Sequence, residues 1–228
     1  MCDDAHVSSA NSPAEHPGVV EFWVDPVCPW CWVTARWMLE RVQPATGVSV
    51  IWQPISLLFK NQPAPDSDYY PPVAATHRML RVMEHVRSTD GDDATARLYH
   101  RLGSRIHHDR ILDADSTAVN LGAELAAVGL DAAYAASADD DTLDVVIRER
   151  MQKGLDLVGT DVGTPIIAFD GPDGSRVGVF GPVITRVPDI EASVELWRAM
   201  VTLARTDGFW ELKRTRTQRP EFGERPDW

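Results

Sequence analysis

Two cysteines stand three positions apart in Cys28-Pro29-Trp30-Cys31, where the apolar run Val19-Val20-Glu21-Phe22-Trp23-Val24 turns through Asp25-Pro26 into a helical pattern. Proline suits the first turn of a helix, where its missing N–H costs nothing, so Pro29 is expected as the first helical residue and Cys28 as the cap before it. A thiol in the cap position faces unpaired backbone N–H groups and the positive end of the helix dipole, both of which favour thiolate. Cys28 is therefore expected to titrate below the ordinary value of about 8.5, in the range of roughly 3.5–7.5, and to act as a nucleophile. Cys31 lies one helical turn on and on the same face, within reach of the Cys28 sulfur as the partner that closes and reopens a disulfide. The spacing predicts a dithiol redox site.

The same residue types have plainer uses. A Cys-x-x-Cys pair is half of a tetrahedral zinc site, but the remaining ligand supply is poor, since Cys2, His6 and His16 stand in a polar N-terminal stretch; no metal is expected. Two ordinary buried cysteines are the other plain reading, and the strand, proline and helix-start context argues against it. Trp23 and Trp32 are expected in the core, whereas an exposed Trp30 offers a face on which an aromatic substrate stacks. His107 and His108 close a helical pattern, where a cationic side chain interacts favourably with the helix dipole. Asp25 before Pro26 most simply makes a turn, with proton transfer to Cys31 as its alternative use. No Gly-x-Gly-x-x-Gly fingerprint or phosphate-binding Gly-Lys-Ser/Thr loop occurs in the chain, so no tightly bound nicotinamide or flavin is expected and reducing equivalents should arrive as thiols.

The elements that hold these residues follow from periodicity. Val19 to Val24 reads as a strand, Pro29 to about Val42 as a helix and Gly47 to Trp52 as a second strand, an opening that implies parallel pairing through a crossover helix. Pro63, Pro65 and Pro71-Pro72, mixed with Asp66, Ser67 and Asp68, lead the chain out of the sheet. From about Ala74 to Gly159 only helical patterns occur: Leu98, Leu102 and Ile106 repeat every fourth position, and Leu143, Val146, Ile147, Met151, Leu155 and Val158 share a face behind the Asp139 to Asp141 run. Strand character returns in Pro165 to Phe169, and a turn at Asp170 to Gly174 leads into Arg176 to Phe180 as an antiparallel hairpin. Asp189 then caps a helix carrying Ile190, Val194, Trp197 and Val201. The order implies an α/β domain at 19–62 and 160–228, interrupted by an all-helical insertion at 63–159 and preceded by a flexible tail at 1–18.

With 228 residues the chain is long enough for a full core, and 44% hydrophobic with 25% charged residues is the composition of a soluble globular protein. A net charge of −12 and a pI near 4.9 oppose general affinity for nucleic acid or anionic membranes. No signal-peptide core or membrane-spanning run is found, so a cytoplasmic protein is expected, in which a cysteine pair serves catalysis rather than as a staple. The island Lys213-Arg214-Thr215-Arg216-Thr217-Gln218-Arg219 is expected to be an ordered tail pairing with the acidic body, with contact to an anionic substrate or to a second subunit of a homodimer as alternatives.

The element order, with Cys-Pro-Trp-Cys opening the first helix and Gly163-Thr164-Pro165 before the third strand, resembles the thioredoxin fold in its DsbA-like form. Phe22 to Trp32, Gly103-Ser104-Arg105-Ile106-His107, Val162 to Pro165, Phe180-Gly181-Pro182-Val183 and Glu211 to Thr217 together resemble the mycothiol-dependent nitroreductases of actinobacteria, over about Val19 to Phe222. The resemblance implies a cis Pro165, with the Thr164 backbone across from the Cys28 sulfur and able to bind an extended thiol substrate. It places His107 at the edge of the cleft, contacting substrate or assisting proton delivery, while Pro29 and Trp30 help set the reduction potential from between the cysteines. Mycothiol is then the thiol co-substrate, and nitroaromatic compounds or disulfides are the molecules reduced. An isomerase of the kappa-glutathione-transferase type shares the fold without a dithiol cycle, and the presence of both cysteines argues against it; a metal- or partner-binding module is the non-enzymatic alternative.

Overall fold

The computed structural model describes residues 17–113, 119–171 and 173–227. The expected tail lies almost wholly outside them, together with Cys2, His6 and His16. Four strands form one sheet in the order β2-β1-β3-β4. The first, β1 (Val19–Val24), runs parallel to β2 (Ser49–Pro54) with Phe22 opposite Trp52. It runs antiparallel to β3 (Ile166–Asp170) with Phe22 opposite Ile167, and β4 (Arg176–Phe180) completes the hairpin with β3. Alternation along the strands divides the side chains between two cores. Val20, Phe22, Val24, Ile167 and Phe169 enter the larger one, and Trp23, Ile166 and Ala168 the smaller.

On the larger side, α1 (Pro29–Trp37) continues through one π-helical turn, Met38–Val42, into α2 (Gln43–Thr46), and Gly47 ends the run at φ 73°. A single helix was the expectation; Pro44 explains the break, because it offers no N–H to the Glu40 carbonyl and its ring crowds that group. On the same side lies α8 (Ile190–Arg205), capped by Asp189, which accepts from the Ala192 N–H at 2.9 Å. Its Trp197 ring sits 6.2 Å from both Trp37 and Phe169.

Between β2 and β3 the described chain is helical, as its periodicity implies: α3 (Leu57–Asn61), α4 (Tyr70–Asp90), α5 (Asp92–His107), α6 (Leu121–Ala127), 3-10 segments at Ala132–Asp139 and Asp141–Leu143, and α7 (Asp144–Val158). The last of these packs on the strands, with Met151 and Leu155 against Trp23 and Ile166. Gly154 permits the approach, since a Cβ there would lie 2.7 Å from the Trp23 ring. The expected boundary at residue 159 thus falls after a helix that covers the smaller face of the sheet. Ser56, His77, Asp144 and Arg81 tie α3, α4 and α7 together: Ser56 Oγ lies 3.0 Å from His77 Nδ1, and His77 Nε2 lies 3.0 Å from an Asp144 carboxylate that also takes two bonds from Arg81. No helix among the described residues is long and apolar enough to cross a membrane.

Candidate active site

Cys28 caps α1 in extended geometry, with φ −74° and ψ 111°, and Pro29 occupies the first turn. Its sulfur accepts from the Cys31 N–H at 3.5 Å and donates to the Thr164 carbonyl at 3.6 Å. The Thr164–Pro165 peptide is cis, and Thr164 faces Cys28 as the family resemblance implies; a second cis bond, Gly181–Pro182, was not foreseen. The Pro182 carbonyl accepts from Thr34 Oγ1 on α1 at 2.7 Å. Cys28 and Cys31 are unbonded thiols in this structure.

The expectation of a lowered Cys28 pKa is overturned. Burial pushes the thiol up to about 12, outweighing the Cys31 and Trp30 N–H groups and the Arg216 guanidinium, all of which pull it down. The helix start is where the sequence puts it, but a cap stabilises charge by about 1–2 kcal/mol at most, and removing a thiolate from water costs more. Cys31 is also raised well above the ordinary thiol range, by burial first and then by Cys28. Asp25, fully buried, does make the turn: its carboxylate accepts from Leu57 N–H at 2.7 Å and Val27 N–H at 3.1 Å. Burial raises its pKa to about 6.

Trp23 and Trp32 are core residues, 1% exposed, while Trp30 is half-buried beside the cysteines. The Arg216 guanidinium lies 5.4 Å above the Trp30 ring, so the basic island reaches the site through a ring rather than through acid groups. Among the described residues, the tail's ion pairs fall outside the island, at Arg186–Glu221 and at Arg225–Asp109, 3.0 Å apart. His107 donates from Nε2 to the Pro26 carbonyl at 2.9 Å and stacks on Trp32, with the tilted Phe222 ring 5.0 Å away. Burial lowers its pKa to about 4, and His108 is lowered as well, so neither is the cation expected at the helix end. His107 braces the turn that precedes Cys28.

Behind Cys31 the structure adds a residue that the sequence reading missed. The Tyr99 hydroxyl from α5 lies 3.9 Å from the Cys31 sulfur. Leu98, Leu102 and Ile106 mark the buried stripe of that helix, and Tyr99 beside Leu98 was the available signal; nothing local distinguishes its hydroxyl from that of any other tyrosine. Thr164 Oγ1 lies 3.4 Å from the same sulfur and 2.5 Å from the Trp23 carbonyl. Among the described residues no group of three or more His, Cys, Asp or Glu is placed to hold a metal ion.

Residues 27–214 match the family model described as Rv2466c-like, mycothiol-dependent nitroreductase Rv2466c. Among solved structures, a candidate protein disulfide isomerase from Nitrosomonas europaea aligns with TM-score 0.56 at 11% identity, covering 81% of this chain and 99% of its own. A candidate DsbA oxidoreductase from Streptomyces coelicolor aligns with TM-score 0.52 at 18% identity, covering 87% and 94%. The cytosolic disulfide reductase DsbM from Pseudomonas aeruginosa, in its structure with GSH, aligns with TM-score 0.51 at 15% identity, covering 81% and 97%. These likenesses establish a DsbA-like thioredoxin fold with a helical insertion.

Proposed function

Because the chain belongs to the Rv2466c-like family of mycothiol-dependent nitroreductases, and is therefore a thiol-dependent oxidoreductase, we propose that Cys28 and Cys31 cycle between dithiol and disulfide. Electrons come from a low-molecular-weight thiol and pass to nitroaromatic compounds or small disulfides. The observation that carries this reading is the pair of unbonded sulfurs at the start of α1, with Cys28 against the Thr164 carbonyl beside Pro165.

With a disulfide substrate, the Cys28 sulfur attacks one sulfur and expels the other as thiolate. Cys31 then attacks Cys28 in the mixed disulfide and releases the second thiol. With a nitroaromatic substrate, the dithiol gives up two electrons and two protons, one N–O bond breaks, and nitroso compound, water and the Cys28–Cys31 disulfide result. Two thiol molecules restore the dithiol through a mixed disulfide on Cys28; mycothiol is the thiol the family implies. Burial keeps Cys28 protonated until a substrate or solvent reaches the sulfur. The Cys31 and Trp30 N–H groups and Arg216 then favour the thiolate. The Thr164 backbone pairs with an extended thiol, Trp30 stacks an aromatic substrate, and Pro29 and Trp30 between the sulfurs tune the potential. His107, held neutral, positions the Pro26 turn. A reducing cytoplasm suits this direction of electron flow.

The test offers oxidised protein mycothiol, with glutathione in parallel, and follows reduction of the Cys28–Cys31 bond and then nitroaromatic turnover. Mycothiol is expected to support both, and both are expected to vanish in Cys28→Ser. Turnover that survives the substitution would overturn the assignment.

A further inference from the structure

We propose that the Tyr99 hydroxyl is the donor that stabilises the Cys31 sulfur as it leaves the Cys28–Cys31 disulfide. The inference rests on the dithiol reading above and adds a catalytic residue from the helical segment to a site built on the sheet. Tyr99 is 1% exposed, and its ring is fixed between Trp52, at a centroid distance of 4.8 Å, and the edge of Trp32, at 6.2 Å. The packing aims the hydroxyl at Cys31, 3.9 Å away.

A count of protons around Cys31 gives Tyr99 its role. The Thr164 hydroxyl carries one hydrogen, shared between the Trp23 carbonyl at 2.5 Å and the Cys31 sulfur at 3.4 Å, and the Cys31 S–H points to the Trp23 carbonyl at 3.8 Å. Trp23 O accepts only. The Tyr99 hydrogen alone has no competing acceptor among the described residues and is free to point at sulfur in every state. A thiol is a weak acceptor and a thiolate a strong one, so this bond strengthens as charge develops on Cys31. Tyr99 itself stays protonated, because burial first and then the charge on Cys31 push its own pKa well above 10. Of the groups acting on Cys31, Cys28 and Asp25 disfavour its thiolate, and the Thr164 and Tyr99 hydroxyls favour it.

The assisted step balances as follows. A substrate thiolate RS⁻ forms a bond to the Cys28 sulfur, the Cys28–Cys31 bond breaks, and Cys31 departs with the electron pair. A second thiolate then attacks the mixed disulfide, giving RSSR and the Cys28 thiolate. In the reverse direction the same hydrogen bond makes Cys31 easier to deprotonate when it resolves a mixed disulfide.

Tyr99→Phe keeps the ring and removes the hydroxyl. Single-turnover reduction of oxidised enzyme by mycothiol, with dithiothreitol in parallel, is expected to slow about tenfold, the scale of one lost hydrogen bond to a charged group. The pH midpoint for Cys31 attack on a Cys28 mixed disulfide is expected to rise by about one unit. Alkylation of reduced Cys28 stays near the wild-type rate. Replacing Tyr99 with a fluorotyrosine, a stronger donor in the same ring, is expected to speed the same step, which keeps the test open where Tyr99→Phe loses stability. Unchanged rates and midpoint in both variants would overturn the role of Tyr99. Oxidised wild-type enzyme that no thiol reduces would overturn the dithiol reading instead.

Discussion

Asp25 is an acid deprived of water: fully buried, held by the Leu57 and Val27 N–H groups, and raised from 3.8 to about 6 by its burial. The unfolded chain loses this proton near 3.8 and the folded chain only near 6, so the group's contribution to stability is complete below a pH of about 4 and is lost as pH rises through 6. His107 works the other way. Its folded value of about 4 lies below the ordinary 6.5, so its contribution is present above 6.5 and lost as pH falls toward 4. The difference in unfolding free energy between Asp25→Asn and wild type isolates the carboxyl: it should move in favour of the variant by about 2 kcal/mol between pH 4 and 7. Denaturant titrations across that range check this, and a difference that stays flat with pH would contradict it. Cys28 shows why such groups are only half legible. Its cap position follows from Pro29 and the strand before it, but its burial depends on Thr164, 136 positions away, and no local pattern carries that contact.

Elements with strong local signals appear where the sequence puts them: β1 by its apolar run, β4 by the turn before it, and α8 by its Asp189 cap. What the pattern does not carry is the way two elements approach. The α5 helix crosses α1 at Gly103, where a Cβ would lie 2.3 Å from the Trp32 ring. That ring follows Cys31 directly, stacks on His107 and donates to His108 Nε2 at 3.4 Å. Gly103→Ala cannot be absorbed without moving the tryptophan. Overpacking of this kind costs about 1–3 kcal/mol, and here the displaced residue adjoins Cys31, the proposed resolving thiol. The variant is therefore expected to unfold at lower denaturant concentration and also to resolve mixed disulfides more slowly; wild-type values for both would show that α5 has room to spare. Gly103 stood in the sequence as part of a segment that carries the family resemblance, and only the three-dimensional crossing explains why it carries no side chain.

Across the whole molecule, the chain beyond α8 links parts that the sequence treats as separate. Arg216 lies over Trp30, Arg36 bonds the Phe222 carbonyl, the Phe222 ring lies 5.0 Å from His107, and Arg225 reaches Ser104 and Asp109 on and just after α5. The basic island could be seen in the sequence, but its landing place could not, since aromatic and backbone partners leave no charge pattern. Phe222→Ala should open the His107 ring to water and raise its pKa from about 4 back toward 6.5, because burial is the main cause of the depression. A ring-proton NMR titration reads this directly, and an unmoved midpoint would show that other residues keep the imidazole dry. Lys213 and Arg214 lie exposed just upstream, near Trp210 at 91% exposure. A single cut there by a trypsin-like protease would detach the peptide bearing Arg216, Phe222 and Arg225 from the rest of the chain, so limited digestion becomes a chemical means of uncovering the proposed redox pair with both cysteines untouched.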